Sequence, residues 1–250
     1  MKKYGLLGEK LSHSKSPEIH NDIFKYLEIE ASYDLIETEK ENLLKHIKKY
    51  DGLNVTIPYK TEVIKHLKDI TDIAKKIGAV NTIYNEVGYN TDYYGFKKML
   101  EINNISVSNK VVYILGTGGA SKAVFKYLKD NNAKSIYFVS RTIKEENIIS
   151  YDNLKNVEGD IIINTTPVGM YPDIDKSPVN EEILEKFKVA IDLIYNPYET
   201  KFLSISKELN LKTTNGLYML IGQAIKAEEI WQECKIENEE IKKIYEKMKN

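Results

Sequence analysis

The run Val111-Val-Tyr-Ile-Leu115 passes directly into Gly116-Thr-Gly-Gly-Ala-Ser121 and then into a helical pattern reaching about Asp130. A buried strand, a tight glycine turn and a helix in that order leave little freedom of fold, because the strand must lie inside a parallel sheet covered on both faces. Glycine lets backbone approach a phosphate closely, and the N-terminus of the next helix presents free N–H groups and partial positive charge to it. Gly116, Gly118, Gly119 and Ala120 are therefore candidate cofactor contacts. Ser121 stands where the dinucleotide fingerprint has its third glycine. Glycines also serve any sharp strand-to-helix corner, so the turn alone leaves a structural and a nucleotide-binding role open.

Strand-like runs alternate with helical patterns along nearly the whole chain, which predicts an α/β fold with mostly parallel sheets. We read strands near 3–8, 31–37, 52–57, 81–84, 111–115, 135–139, 160–164 and 188–193, with helices between most of them and a helical C-terminal stretch from Gly216. The 250 residues suffice for two domains of roughly 100 to 150 residues. The polar stretch 103–110 marks a boundary. Residues 104–216 form an expected Rossmann-like domain, and periodicity leaves open whether the helical stretch 217–250 packs on 1–103 or on that domain.

Charge and composition exclude several functions. With 36 basic and 37 acidic residues and a net charge of −1, the chain has no single-sign field to recruit nucleic acid or an anionic membrane. No apolar run approaches the roughly 18 residues of a membrane span, and no signal peptide is legible, so a cytoplasmic location is expected. One cysteine, Cys234, and scattered histidines at 13, 20, 46 and 66 offer no metal-ligand spacing. No metal is expected.

About 20 residues beyond the glycine turn, an NAD enzyme shows an acidic residue for the ribose 2′-hydroxyl, whereas arginine accommodates the 2′-phosphate of NADP. This chain has Ser140-Arg-Thr-Ile-Lys144, and Arg141 is its only arginine. A guanidinium pairs with phosphate bidentately and stacks on a flat ring, which an ammonium cannot do. Ser140 and Thr142 add hydroxyl donors, and Lys144 a second cation. NADP is favoured over NAD. One charged hydrogen bond of about 1.5 to 3 kcal/mol corresponds to a roughly ten- to hundredfold preference. The bland reading, in which Arg141 and Lys144 only solvate a loop, leaves the position of the lone arginine a coincidence.

In the other half, Ser12-His-Ser-Lys-Ser-Pro17 precedes a helix to about Leu27. Ser16 suits the N-cap and Pro17 the first turn. A second hydroxyl at Ser14 also suits a carboxylate-binding helix N-terminus. Asn54-Val-Thr-Ile-Pro-Tyr-Lys60 leaves a strand and enters a helix, placing Asn54, Thr56 and Lys60 near one strand end, where open α/β sheets hold ligands. Asn81-Thr82 and Gly88-Tyr-Asn-Thr-Asp92 follow, with Asp92 a candidate helix cap.

Taken together the residues resemble the shikimate dehydrogenases. The resemblance covers nearly the whole chain: Gly8, His13-Ser-Lys-Ser-Pro17, Ile19-His-Asn21, Asn54 to Lys60, Gly78-Ala-Val-Asn-Thr82, Gly88 to Asp92, Gly116 to Ala120, Ser140 to Lys144, Asn164-Thr-Thr-Pro-Val-Gly-Met170, Asp192-Leu-Ile-Tyr195, Asn215-Gly216, Met219-Leu220, Gln223-Ala224 and Trp231. It implies reversible reduction of 3-dehydroshikimate to shikimate by NADPH, on the route to aromatic amino acids, with the C-terminal helices returning to the first lobe. By matched position it implies that Ser14 and Ser16 bind the substrate carboxylate. Thr56, Asn81, Asp92, Tyr195 and Gln223 would bind its ring hydroxyls, and Leu193 and Gly216 would line the nicotinamide. Alkoxide charge developing at a reduced ketone calls for a nearby ammonium, so Lys60 is the expected general acid and, in reverse, base, oriented by Asp92.

The chain departs from the family in a short turn between Thr82 and Gly88, in Ser140 where asparagine is frequent, and in a segment from Lys144 to Asp160 too brief for a full helix. Alternatives are a quinate/shikimate dehydrogenase using NAD or both cofactors, and a nucleotide-sensing regulator without catalysis. A homodimer stays open as an assembly.

Overall fold

A computed structural model describes residues 1–11, 14–142 and 147–249. In chain order its elements are β1 (Lys2–Gly8), α1 (Ser16–Tyr26), β2 (Ala31–Glu37), α2 (Leu43–Ile47), β3 (Gly52–Val55), β4 (Asp69–Ile70), α3 (Asp72–Ile77), β5 (Thr82–Tyr84), β6 (Val87–Tyr89) and α4 (Asp92–Ile102). Then come β7 (Val111–Leu115), α5 (Gly119–Asp130), β8 (Ser135–Val139), β9 (Ile148–Ile149), β10 (Ile161–Asn164), α6 (Glu181–Leu184), β11 (Val189–Asp192), α7 (Lys201–Glu208), β12 (Lys212–Thr214), α8 (Leu217–Trp231) and α9 (Asn238–Lys249). They form two compact units, 1–95 with 221–250, and 96–220, so the chain passes between units inside α4 and α8. The polar stretch 103–110 lies within the second unit. No helix among the described residues is long and apolar enough to cross a membrane.

The α/β class is as the sequence predicts, and the second unit is fully parallel. Its strand order is β12-β11-β10-β7-β8-β9, each neighbouring pair running parallel. The central strands β7 and β10 are buried almost throughout, which is why they read as continuous apolar runs. Leu115, Val139, Leu154, Ile162 and Phe202 anchor one core of this unit. After Arg141 the short segment holds the two-residue strand β9 and a 3₁₀ turn at Asp152–Asn156.

The first unit is mixed rather than parallel, in the order β2-β1-β3-β5-β6-β4. Strands β1, β2 and β3 are parallel, but β5 runs antiparallel to both β3 and β6. The hairpin turns on Asn85 and Glu86, both at positive φ, the conformation a two-residue hairpin loop requires. Helix α1 buries Ile19, His20, Ile23 and Phe24 along one face, at the spacing of an amphipathic helix. Helix α8 returns to this unit, where Trp231 packs with Tyr4, Phe24 and Tyr33. Its indole N–H donates to the Ile83 carbonyl at 3.1 Å.

Two local expectations are corrected. Strand β3 stops at Val55 and is followed by a turn and a 3₁₀ segment, Glu62–His66, rather than an α-helix. That segment buries only Val63, too little apolar surface to hold a longer helix against the sheet. Ser16 is inside α1, with Lys15 at the cap position and no side-chain cap bond. Ser14 Oγ instead accepts the Ser16 N–H at 3.2 Å.

Candidate active site

The β3–β5–β6 register assembles the polar centre of the first unit. Asn54 on β3 lies opposite Thr82 on β5, and Thr82 opposite Tyr89 on β6. Asn81, just before β5, is thereby brought beside Thr91 and Asp92, where β6 gives way to α4. Asn81 Nδ2 donates to Asp92 Oδ1 at 2.9 Å and to Thr91 Oγ1 at 3.0 Å, while its Oδ1 accepts the Thr91 N–H at 2.7 Å. Asp92 Oδ2 accepts from Lys60 Nζ at 2.6 Å. Both carboxylate oxygens are thus engaged, and the helix-cap role expected of Asp92 falls to Asn90, whose Oδ1 accepts the Tyr93 N–H at 3.3 Å.

Lys60 is held from its backbone as well, since its carbonyl accepts the Val80 N–H at 2.7 Å. The side chains of Lys60 and Asp92 are 15% and 9% exposed, sheltered enough for a charged hydrogen bond to count while the ammonium keeps a path to a ligand. Gln223 Oε1, on α8, is 3.5 Å from both Asn81 Nδ2 and Thr91 Oγ1. Thr56, Ser14 and Ser16 belong to the same unit, Thr56 donating its N–H to the Leu7 carbonyl at 2.9 Å. Asn54 is buried, with Nδ2 3.2 Å from Thr82 Oγ1 and Oδ1 2.7 Å from the Tyr33 hydroxyl. Thr82, Thr91 and Tyr33 are participants that sequence reasoning gave no role. The two threonines lie inside motifs already singled out, whereas Tyr33 carries no local signal at all.

In the second unit, Gly116 has φ +98°, and a Cβ there would press on Thr166 at 2.9 Å. Gly118 differs: its φ is −76°, and a Cβ would meet nothing within 4 Å. As the N-cap of α5, glycine serves better there than alanine would, and it also leaves room for a ligand phosphate to approach. Gly119 and Ala120 open α5 behind it. Ser121, in the third-glycine position, is buried and donates its hydroxyl to the Gly118 carbonyl at 2.6 Å, closing the turn with a side chain. Ser140 Oγ accepts the Thr142 N–H at 3.2 Å. Arg141 is exposed at the end of β8 and acts electrostatically on Tyr151, while Lys144 lies outside the described residues. Gly216 sits against the Leu193 backbone, where a Cβ would collide with the Leu193 carbonyl. Its N–H donates to the Ile194 carbonyl at 3.0 Å. Tyr195 follows, its phenol pushed up by burial.

A parallel sheet with a ligand-ready glycine turn, and a separate α/β unit holding a sheltered Lys–Asp pair among amides and hydroxyls, define the class of nucleotide-dependent α/β oxidoreductases. Residues 6–83 match the shikimate dehydrogenase substrate binding domain. Shikimate dehydrogenase (NADP(+)) of Clostridium beijerinckii is 54% identical, with 100% of this chain and 99% of that protein covered. The crystal structure of shikimate dehydrogenase 1 from Peptoclostridium difficile superposes with a TM-score of 0.92 at 48% identity, covering 100% and 98% of the two chains. That of the Thermus thermophilus enzyme, in complex with NADP(H) and shikimate, does so with 0.87 at 28%, covering 99% and 100%. The chain belongs to the shikimate dehydrogenase family.

Proposed function

We propose that the protein catalyses the reversible NADPH-dependent reduction of 3-dehydroshikimate to shikimate, a step toward chorismate and the aromatic amino acids. The single observation that carries the chemistry is the Lys60–Asp92 pair at 2.6 Å, with Asp92 fixed from its other oxygen by Asn81. Bound NADPH supplies the hydride. Lys60 then stabilises the developing alkoxide and hands it a proton, and in the reverse direction it removes that proton. Asp92 and Asn81 hold the ammonium in place, so little reorganisation is needed when charge develops.

Residues of the 1–95 and 221–250 unit take the substrate: Ser14 and Ser16 its carboxylate, and Asn54, Thr56, Asn81, Asp92 and Gln223 the ring polar groups. The 96–220 unit takes NADP, with Gly116, Gly118, Gly119 and Ala120 at the pyrophosphate. Ser140, Arg141, Thr142 and Lys144 serve the 2′-phosphate, and Leu193 and Gly216 the nicotinamide. The open space over Gly118 supports the pyrophosphate placement. We place the enzyme in the cytoplasm, with a homodimer as the assembly to test.

Absorbance assays with shikimate and with quinate, each with NADP and with NAD, test the assignment. Turnover with shikimate and NADP, and at most weak turnover elsewhere, is expected. Equal use of quinate or of NAD would overturn the specificity.

A further inference from the structure

Leu193 and Gly216, assigned above to the nicotinamide, sit in one tightly tied turn. A Cβ on Gly216 would collide with the Leu193 carbonyl. The Gly216 N–H donates to the Ile194 carbonyl at 3.0 Å, and the Leu193 N–H to the Asn164 carbonyl at 3.0 Å. The remaining tie is a side chain: Asp192 Oδ1 accepts the Ile194 N–H at 3.0 Å. Asp192 ends β11 and is fully buried. It is held in turn from two neighbouring elements. Asn164 Nδ2, at the end of β10, donates to the same Oδ1 at 3.0 Å, and the Thr200 hydroxyl, capping α7, donates to Oδ2 at 2.6 Å.

Taking a carboxylate out of water is costly, and a neutral side chain would fill the space at lower cost. What a carboxylate alone offers is two acceptor atoms and no hydrogen of its own. Three donors converge on Asp192, whereas an amide or a hydroxyl has a single acceptor atom. The donors depend on it unequally. Asn164 Nδ2 also reaches the Val168 carbonyl at 3.3 Å, and Asn164 Oδ1 keeps the Thr166 N–H at 3.0 Å. Thr200 Oγ1 keeps the Leu203 N–H at 3.3 Å. The Ile194 N–H has no second acceptor among the described residues. Removing the carboxylate therefore releases the 193–195 turn, and leaves in place the turn after β10, whose Thr166 packs beside Gly116.

We propose that Asp192 is a positioning residue: it sets the wall on which the nicotinamide packs, and so governs affinity for the ring end of the cofactor while leaving its phosphate end alone. This role rests on the cofactor assignment given above.

Direct binding titrations on the full chain, run well below each variant's melting temperature, test it with two probes. NADPH carries the ring, whereas 2′-phospho-ADP-ribose keeps the pyrophosphate and the 2′-phosphate and lacks the ring. Asp192→Ala is expected to raise the Kd for NADPH about tenfold and the Kd for the ring-less probe by less than about twofold. Asp192→Asn, which keeps one acceptor atom for Ile194, should lose less than Asp192→Ala. Thr200→Val should weaken NADPH alone, and Thr200→Ser, which retains the donor, should bind it as the wild type does. An unchanged NADPH affinity in folded Asp192→Ala overturns the proposal, and so does an equal loss for both probes, the mark of a general loosening of the unit. Should Asp192→Ala fail to fold, Thr200→Val and Thr200→Ser decide with the same probes. A loss confined to NADPH and absent from the serine variant supports the role, and any other pattern overturns it. A wild type that binds neither probe removes the cofactor assignment and the positioning role with it. A wild type that binds both, beside an unaffected Asp192→Ala, removes the positioning role alone.

Discussion

Gly116 and Gly118, separated by Thr117 in the β7–α5 turn, should respond oppositely to the same methyl group. At Gly116 the backbone has φ +98° and a Cβ would sit 2.9 Å from Thr166 Cγ2. Gly116→Ala therefore combines a left-handed backbone, costing about 1 to 3 kcal/mol, with local overpacking of about the same size. At roughly 2 to 4 °C per kcal/mol for a chain of this length, Tm should drop by several degrees at least. At Gly118 the φ of −76° suits any residue, and no atom lies within 4 Å. There Gly118→Ala gains about 0.4 to 1 kcal/mol from a less flexible unfolded chain and loses a similar amount because alanine caps a helix poorly. Stability should be nearly unchanged. The methyl group does, however, occupy the space assigned to the pyrophosphate, and loss of one charged hydrogen bond of about 1.5 to 3 kcal/mol raises the KM for NADPH roughly ten- to hundredfold. Thermal unfolding and initial-rate kinetics on the two variants separate the effects. A Gly118→Ala protein with normal stability and a normal KM for NADPH would refute the assignment of that space to the cofactor.

Three other outcomes are expected. Lys60→Ala should lower turnover by about 10² to 10⁴-fold with NADP affinity retained in a direct binding titration; near-normal turnover would remove Lys60 from the proton transfer. Arg141→Ala should raise the KM for NADPH strongly and for NADH little, and equal effects on both would sink its phosphate role. Burial pushes the Asp192 carboxyl from 3.8 up to about 6, against the pull of Thr200, Ile194 and Asn164. Because the folded value exceeds the unfolded one, this group's contribution to stability is fully present below about pH 3.8 and is lost as pH rises through about 6. Across that window wild type should lose about 3 kcal/mol relative to Asp192→Asn, and parallel denaturant-melt curves for the two proteins would contradict the shift.

The second unit was legible because β7, β8, β10 and β11 are apolar runs flanked by helices, and burial on both faces leaves a strong compositional mark. The motifs around Asn54, Asn81 and Asp92 could be picked out for the same local reason, as polar residues clustered at element junctions. What escaped was pairing. Strands β4, β6, β9 and β12 have two or three residues each, too few to display alternation. The β5–β6 hairpin turns on Asn85-Glu86 instead of the Asn-Gly or Asp-Gly that would have announced it. That hairpin is what carries Asn81 to Asp92, so the residues of the site were readable while their assembly was not. Tyr33 was invisible because its partner Asn54 is 21 positions away and reaches it only through the sheet.

The return of α8 to the first strands has a consequence for the protein's birth on the ribosome. A Cβ on Gly52 would lie 2.5 Å from the Trp231 indole, and Trp231 also stacks on Tyr4 with ring centroids 4.7 Å apart, so the strands of the first unit are sealed by a residue synthesised only after the whole of the second. Domains usually mature in the order they emerge. Here the unit formed by 96–220 is complete first, while 1–95 waits with an open flank for its closing helices. Trp231 is the chain's only tryptophan, so indole fluorescence reports that last act of closure directly, and in a refolding experiment its burial should trail formation of the parallel sheet.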